Sequence, residues 1–396
     1  MKWIQQNWLR IYGLWRIWLI VATLMVAQFV PLRIGYLARD FFGQVLPNWV
    51  WPWGNMDGAV FMLIAHQGYQ ASELPFFPLF PLSIRLMVDL TKTPYVVAGM
   101  LVSFLAFAGA MYWLWQLLKL DKRETLFGLI FLLMILYPTG HYYTAVYNDA
   151  LFLFFSLGTL YFGRQHRYLP ASLLGGLAAL TRLNGLALSV YLGAEYLIQV
   201  RPQLAQLKSW KEIGSLVPNF LSALDPRLWL RKRIFWALLI PAAFLGYLAW
   251  IHWQFGDWHL FFEGVEVWHR NKLTFPLQTF WRYAKMMVTV PPMSMVFGVA
   301  FAELAFSVGY AVVLLWSWNK IRFSYWLFMA VSLLIPTLTG TLQGMPRYGL
   351  HLYPLFLSLT LWLEHKPHWV KMLWLGLSLC LQLVYLAAYT RGYFVA

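Results

Sequence analysis

Apolar runs of about 17–25 residues recur from one end of this chain to the other, and each is long enough to cross a bilayer core as a helix. Lipid offers the backbone no hydrogen-bond partners, so such runs close their bonds internally as helices. The 396 residues are 61% hydrophobic and 11% charged, against about 45–50% apolar for an ordinary soluble domain. The chain is therefore expected to be an all-α integral membrane protein with no soluble domain left over. Lys2, Arg10 and Arg16 precede a long apolar run without a small-residue cleavage site, which describes an uncleaved first span rather than a signal peptide.

Apolar runs read against helix breakers predict eleven spans, near 11–30, 95–118, 125–143, 149–163, 170–181, 185–199, 234–254, 292–317, 323–341, 348–364 and 369–390. Two of them, 170–181 and 185–199, are short: twelve residues rise about 18 Å in a core of about 30 Å. They read as a broken pair meeting at "TRLNG", residues 181–185. Interrupted backbone at membrane depth is tolerated where protein or water lines it.

The formal charge is +15. In a soluble protein that excess would point to nucleic acid, but here most of the Lys and Arg residues fall in short connections on one side of the spans. That pattern puts the N-terminus in the cytoplasm of a multi-pass inner (plasma) membrane protein and makes membrane lipid, not nucleic acid, the basic partner. The single cysteine, Cys380, lies in an apolar run and excludes a disulfide framework or a cysteine metal cluster. Two outer connections are long, 31–94 and 255–291, and both are rich in Trp, Phe and Pro. Short helices lying in the membrane interface suit that composition.

Polar residues that break the apolar pattern are the candidates for chemistry. In the first outer loop, "NMDGAVFMLIAHQGYQASELPFFPLFP" places Asp57 just before helically spaced apolar residues and Glu73 just before Pro75. Asp57 reads either as a helix cap or as a general base at a membrane-facing cavity. Glu73 reads either as a solvated loop charge or as a supporting partner, while "FFPLFP" is a rigid structural brace. In "YPTGHYYTAVYNDALF", His141, Tyr142, Tyr143, Tyr147 and Asp149 converge at one turn where a span ends and the next begins at Asn148 and Asp149. Polar groups with aromatic neighbours at that depth suit a sugar, with helix capping by Asn148 and Asp149 as the simpler reading. Arg182 and Asn184 sit in the broken pair, Arg347 and Tyr348 in "GMPRYGLHLYP", and Trp268, His269 and Arg270 in the second outer loop. Arginine binds phosphate oxygens bidentately, so Arg182, Arg270 and Arg347 suggest a phosphate group at the outer surface. Walker loops, "GxGxxG", "HExxH" and "GxSxG" are absent, which leaves ATP hydrolysis, zinc proteolysis and α/β-hydrolase chemistry without support.

These residues carry a resemblance. "MDGAVFMLIAHQGY" followed by "ELPFFPLFP" resembles the signature of the PIG-V-like family of mannosyltransferases, which includes the enzyme that adds the second mannose of the GPI anchor and its prokaryotic relatives. The likeness continues in order through "YNDALFLFFSLGTLYF", "LLGGLAALTRLNGLAL", "FGDWHLFFEGVEVWHR", "GMPRYGLHLYPLFL" and "GYFVA". It implies one glycosyltransferase domain over 1–396, a GT-C-like helical bundle, a polyprenyl-phosphate-linked sugar donor, a lipid or glycan acceptor, and a periplasmic or extracellular active site. The family's acidic residue in the first outer loop corresponds to Asp57, with Met56 where a Trp usually stands. A second acidic position corresponds to Asp149, followed by Ala150 in place of Ser. On this reading Asp57 is the base of an inverting transfer and one of the three arginines stabilises the leaving phosphate. No cofactor is required, although the outer carboxylates permit a divalent cation. The competing classes are a lipid-linked sugar transporter or flippase, which would favour internal repeats not found here, and a non-catalytic membrane scaffold.

Overall fold

Among the described residues, five helices are long and apolar enough to cross a membrane: Trp3–Phe29, Tyr95–Leu120, Ile234–Phe255, Met295–Ser317 and His368–Thr390. They belong to a computed structural model that describes residues 2–33, 37–42, 46–206, 232–268 and 273–394. Among the described residues every regular element is helical. The longer helices are α1 (Lys2–Phe29), α2 (Asp57–Gln67), α3 (Leu79–Thr91), α4 (Tyr95–Leu120), α5 (Phe127–Ile135), α6 (Asp149–Arg164) and α7 (Tyr168–Ala179). They continue with α8 (Ala187–Val200), α9 (Leu239–Phe255), α10 (Pro276–Thr289), α11 (Met295–Ser317), α12 (Phe323–Thr337), α13 (Tyr353–Glu364) and α14 (His368–Thr390).

Each of the eleven expected spans coincides with a helix, but five rather than eleven reach the thickness of a bilayer. The other six, α5 to α8, α12 and α13, have 9 to 16 residues and rise about 14–24 Å. Identifiable breakers end them. Pro138 and Gly140 follow α5, and "TRLNG" separates α7 from α8, where two helices do meet at a short 3-10 turn, Leu183–Leu186. The long helices turn apolar side chains outward: Trp3, Leu14, Ile17 and Phe29 on α1, Trp253 on α9, and Val312 and Leu315 on α11 are exposed. A surface of that kind is matched by lipid and would aggregate in water. The protein is a polytopic helical membrane protein.

The chain divides into two compact units, one made of residues 1–154 and 360–396 and the other of residues 155–359. In the first, Tyr12 of α1 stacks on Phe104 and Phe107 of α4 at 5.5 and 4.7 Å between ring centroids. The short helix α5 ends where no water is available for its last carbonyls. Gln382 of α14 supplies the missing donors: its Nε2 donates to the carbonyls of Ile135 and Tyr137 at 2.7 and 2.8 Å, and its Oε1 accepts from the Trp15 indole at 3.2 Å. Ser378, one turn earlier on α14, donates to Leu136 O at 2.8 Å. Replacing the fully buried Gln382 by Leu leaves two carbonyls and one indole N–H without these bonds. The expected cost is about 2 kcal/mol of stability, read as a lower unfolding midpoint in detergent; an unchanged midpoint would show that other groups take over.

In the second unit, a carboxylate from one short helix meets a guanidinium at the start of another. Glu195 of α8 is fully buried and accepts two bonds from Arg322, Nε to Oε1 at 2.7 Å and Nη2 to Oε2 at 2.8 Å. The Ser324 hydroxyl also donates to Oε1. The pairing fastens α8 to α12 beside a core of Ala194, Ile198, Leu204, Trp318 and Phe323. Arg322 lies in one of the short basic connections between spans, and nothing in the sequence shows that Glu195 faces it.

Candidate functional site

Asp57 opens α2, and the backbone in front of it is bent tightly. Met56 has φ 55° and ψ −126°, a conformation that suits glycine and costs a side-chain-bearing residue about 1–3 kcal/mol. The Gly58 N–H donates to Asn55 O at 3.1 Å across this bend, so residues 55–58 form a closed turn. Asp57 is the first helical residue rather than the cap. The N-cap is Met56, and no side chain caps the helix. A carboxylate in the first turn lies at the positive end of the helix dipole.

Both sides of the turn are fixed by long-range bonds. Asn55 is fully buried; its Oδ1 accepts from the Ala38 N–H at 3.1 Å, and its Nδ2 donates to Tyr389 O at 3.1 Å and Thr390 O at 3.4 Å. The Tyr147 hydroxyl accepts from the Asp57 N–H at 3.2 Å and donates to Asn55 O at 3.4 Å. Just before the turn, Trp53 O accepts from the Val146 N–H at 2.9 Å and from the Tyr389 hydroxyl at 2.8 Å. The backbone of Asp57 is thereby fastened to the 141–149 segment and to the end of α14, while its side chain stays partly exposed. The brace reading of "FFPLFP" holds as well: Phe76 and Phe80 meet Phe61 of α2 edge-on at 5.3 and 5.1 Å.

Beneath the turn lies a cage of aromatic rings. Tyr142 stands 4.5 Å from Tyr147 and 5.2 Å from Tyr389, and His141 stands 4.5 Å from Tyr142 and 5.3 Å from Tyr389. His141 and Asp149 are completely buried, and the charge of Asp149 acts on the His141 ring. Asn148 starts α6 by accepting the Phe152 N–H at 2.9 Å. The predicted cluster thus assembles around Tyr142 and Tyr147. Tyr143 packs its ring on Phe107 at 4.7 Å, and Tyr147 is the tyrosine that touches the Asp57 turn. Glu73 is buried and closes a local capping box, Oε2 accepting the Gln70 N–H at 2.9 Å. Burial pushes its carboxyl above the usual carboxylate range, and the Gln70 N–H partly offsets this.

The second unit holds the arginines. Arg182 is nearly buried at the break between α7 and α8, and its guanidinium lies 5.4 Å from the Tyr348 ring centre, a cation–π distance. Asn184 donates to Ser332 O at 3.1 Å. Gly185 is required at this break, since a Cβ there would meet backbone atoms of Ala179 at 2.4 Å. Arg347 and Tyr348 follow Gly344, which has φ +80°, in a short helix, Met345–Tyr348. Arg182 and Tyr348, 166 residues apart in sequence, are therefore brought together. His269 and Arg270 lie outside the described residues, as does the side chain of Trp268. Among the described residues no group of three or more His, Cys, Asp or Glu side chains is placed to hold a metal ion.

Sequence reading did not single out four residues that shape these sites: Asn55, Tyr389, Tyr283 and Glu303. A signal existed for Glu303, an acid inside the apolar run "FGVAFAELAFSVGY", because ionisable residues within a span mark functional positions. For Tyr389 there was none, since a tyrosine near the end of a span reads as an interface anchor.

The family model for mannosyltransferase (PIG-V) matches residues 7–226. That segment contains the Asp57 turn, the 141–149 cluster and Arg182. No curated protein and no solved structure matches the chain.

Proposed function

The chain belongs to the mannosyltransferase (PIG-V) family and is a membrane mannosyltransferase, and from that premise we propose that it takes mannose from a polyprenyl-phosphate-linked donor by a single inverting displacement. Asp57 is the general base. It removes the proton from an acceptor hydroxyl as that oxygen bonds the anomeric carbon, and the bond from that carbon to the lipid phosphate breaks. The polyprenyl phosphate leaves with the bonding electrons, and the sugar changes its anomeric configuration. The observation that carries this reading is the contrast at Asp57, whose backbone is fastened on both sides while the residue as a whole stays partly exposed. A base must be positioned before the reaction to be effective.

The departing phosphate needs cations, and Arg182 and Arg347 are the candidates for that role. Arg182 stands against the Tyr348 ring, and a planar guanidinium is the group best suited to bidentate phosphate binding. Aromatic rings near Asp57 suit a sugar, with Asp149 and His141 as the polar groups buried behind them. The polyprenyl chain requires an apolar path, and α10 is suited to a membrane surface. Leu277, Trp281 and Val288 are exposed along one of its faces, and Thr279 and Tyr283 are buried along another. The distribution of Lys and Arg along the chain favours Asp57 on the periplasmic or extracellular side of the inner membrane. The acceptor is a lipid or a glycan.

Transfer by purified protein in liposomes tests the proposal, with labelled mannose presented either on a polyprenyl phosphate or on a nucleotide. Mannose should reach an acceptor from the lipid-linked donor alone, and the product should have the opposite anomeric configuration to the donor. Transfer from the nucleotide sugar, retention of configuration, or movement of the labelled lipid across the bilayer without a new glycosidic bond would each overturn it.

A further inference from the structure

Glu303 sits within the apolar α11, buried to 3% exposure. An ionised carboxylate in such surroundings is costly unless its oxygens are bonded. Both oxygens are. Oε2 accepts from the Tyr283 hydroxyl at 2.7 Å, and Oε1 accepts from the Gly344 N–H at 3.1 Å. The Tyr283 oxygen in turn accepts from the Leu342 N–H at 3.1 Å and lies 3.1 Å from Thr341 Oγ1. Burial, then the charge of Glu303, pushes the Tyr283 hydroxyl well above the ordinary phenol range, so it remains a donor.

The bonds all converge on one stretch of backbone. Tyr310, two turns beyond Glu303, has its hydroxyl 3.1 and 3.2 Å from the carbonyls of Met345 and Pro346. From α10, Arg282 donates to Gly340 O at 2.7 Å and Thr279 to Thr337 O at 2.9 Å. Residues 337–346 are thus held between α10 and α11, and the next two residues are Arg347 and Tyr348. A structural link between two helices is made more cheaply by apolar packing than by a buried charge. What a carboxylate adds is an acceptor for a backbone N–H at a turn, here that of Gly344.

We infer that Glu303 and Tyr283 are positioning residues that set the Arg347–Tyr348 turn, and through the Tyr348 ring the Arg182 guanidinium, for the phosphate of the lipid-linked donor. The inference rests on the phosphate-binding reading of these arginines.

The test compares Tyr283→Phe, Glu303→Gln, Arg347→Ala and the double variant Tyr283→Phe/Arg347→Ala, full-length and in liposomes, with donor and acceptor varied separately. Tyr283→Phe is expected to raise the KM for polyprenyl-phosphate-mannose about tenfold, the scale of a lost bond to a charged group, and to leave the acceptor KM unchanged. The double variant should be no worse than Arg347→Ala, because effects passing through one turn do not multiply. Equal rises for both substrates, or multiplying effects in the double variant, would overturn the inference. So would a normal Tyr283→Phe beside an impaired Arg347→Ala, which leaves the phosphate reading standing. A normal Arg347→Ala would remove that reading and the inference with it. Glu303→Gln keeps the side-chain volume and an acceptor for Gly344, and it decides the matter if Tyr283→Phe does not fold: its donor KM should rise, and no rise overturns the inference.

Discussion

Asp57→Asn is expected to lower the turnover number for mannose transfer by about 10²–10⁴-fold, the usual contribution of a positioned general base. The substitution is informative because the bonds described at this turn use the backbone of residue 57 and the side chains of Asn55 and Tyr147. The Asp57 N–H bonds Tyr147, the Gly58 N–H bonds Asn55, and Asn55 bonds the end of α14. An amide of the same size therefore keeps these backbone bonds and loses the capacity to take a proton. Binding of the lipid-linked donor and the unfolding midpoint should stay close to wild type. Asp57→Glu, with the carboxylate displaced by one methylene, should fall between the two. A wild-type turnover number in the Asn variant would remove Asp57 as the base, and loss of the folded protein would show that the carboxylate has a structural duty.

Glu195→Leu should cost about 3–5 kcal/mol of stability, because breaking a buried ion pair strands the remaining charge. Arg322 loses a bidentate partner and Ser324 an acceptor in one step. The measurement is the denaturation midpoint in detergent of the single variant and of Glu195→Leu/Arg322→Leu. The double variant is expected to recover much of the loss, since two apolar side chains of suitable volume replace a charge pair at little net cost. Equal midpoints for wild type and Glu195→Leu would mean that Arg322 finds compensation elsewhere. If the double variant proves as unstable as the single one, the packing around Trp318 and Phe323 depends on the charges themselves.

Helix positions were legible because apolar run length and breakers are local properties. "TRLNG" shows the point: Gly185 is needed against Ala179, and the break falls where the sequence puts it. The number of complete crossings was not legible. A run such as 125–143 looks continuous by composition, yet its helix stops at Ile135, and the carbonyls that make this tolerable are met by Gln382, 245 and 247 residues away. Asp57 was legible as a candidate from its place in a broken, aromatic segment, but the Asn55 and Tyr389 bonds that fix it were not. The arginines separate in the same way. Arg182 and Tyr348 each stood out alone, and only the fold shows that they meet. Glu303 and Glu195, each an acid inside an apolar run, were informative exceptions to the pattern that sequence reading passed over.

The bonds from Asn55 to Tyr389 and Thr390 also bear on biogenesis. They join residues 334 and 335 positions apart, so the membrane inserts the segment bearing Asp57 long before its partners are synthesised. During that interval Asn55 must find its bonds in water or lipid headgroups, and the bend at Met56 lacks the contacts that offset its strain. The arrangement around Asp57 is therefore completed only when α14 arrives, and a nascent chain stalled before Gln382 would lack it.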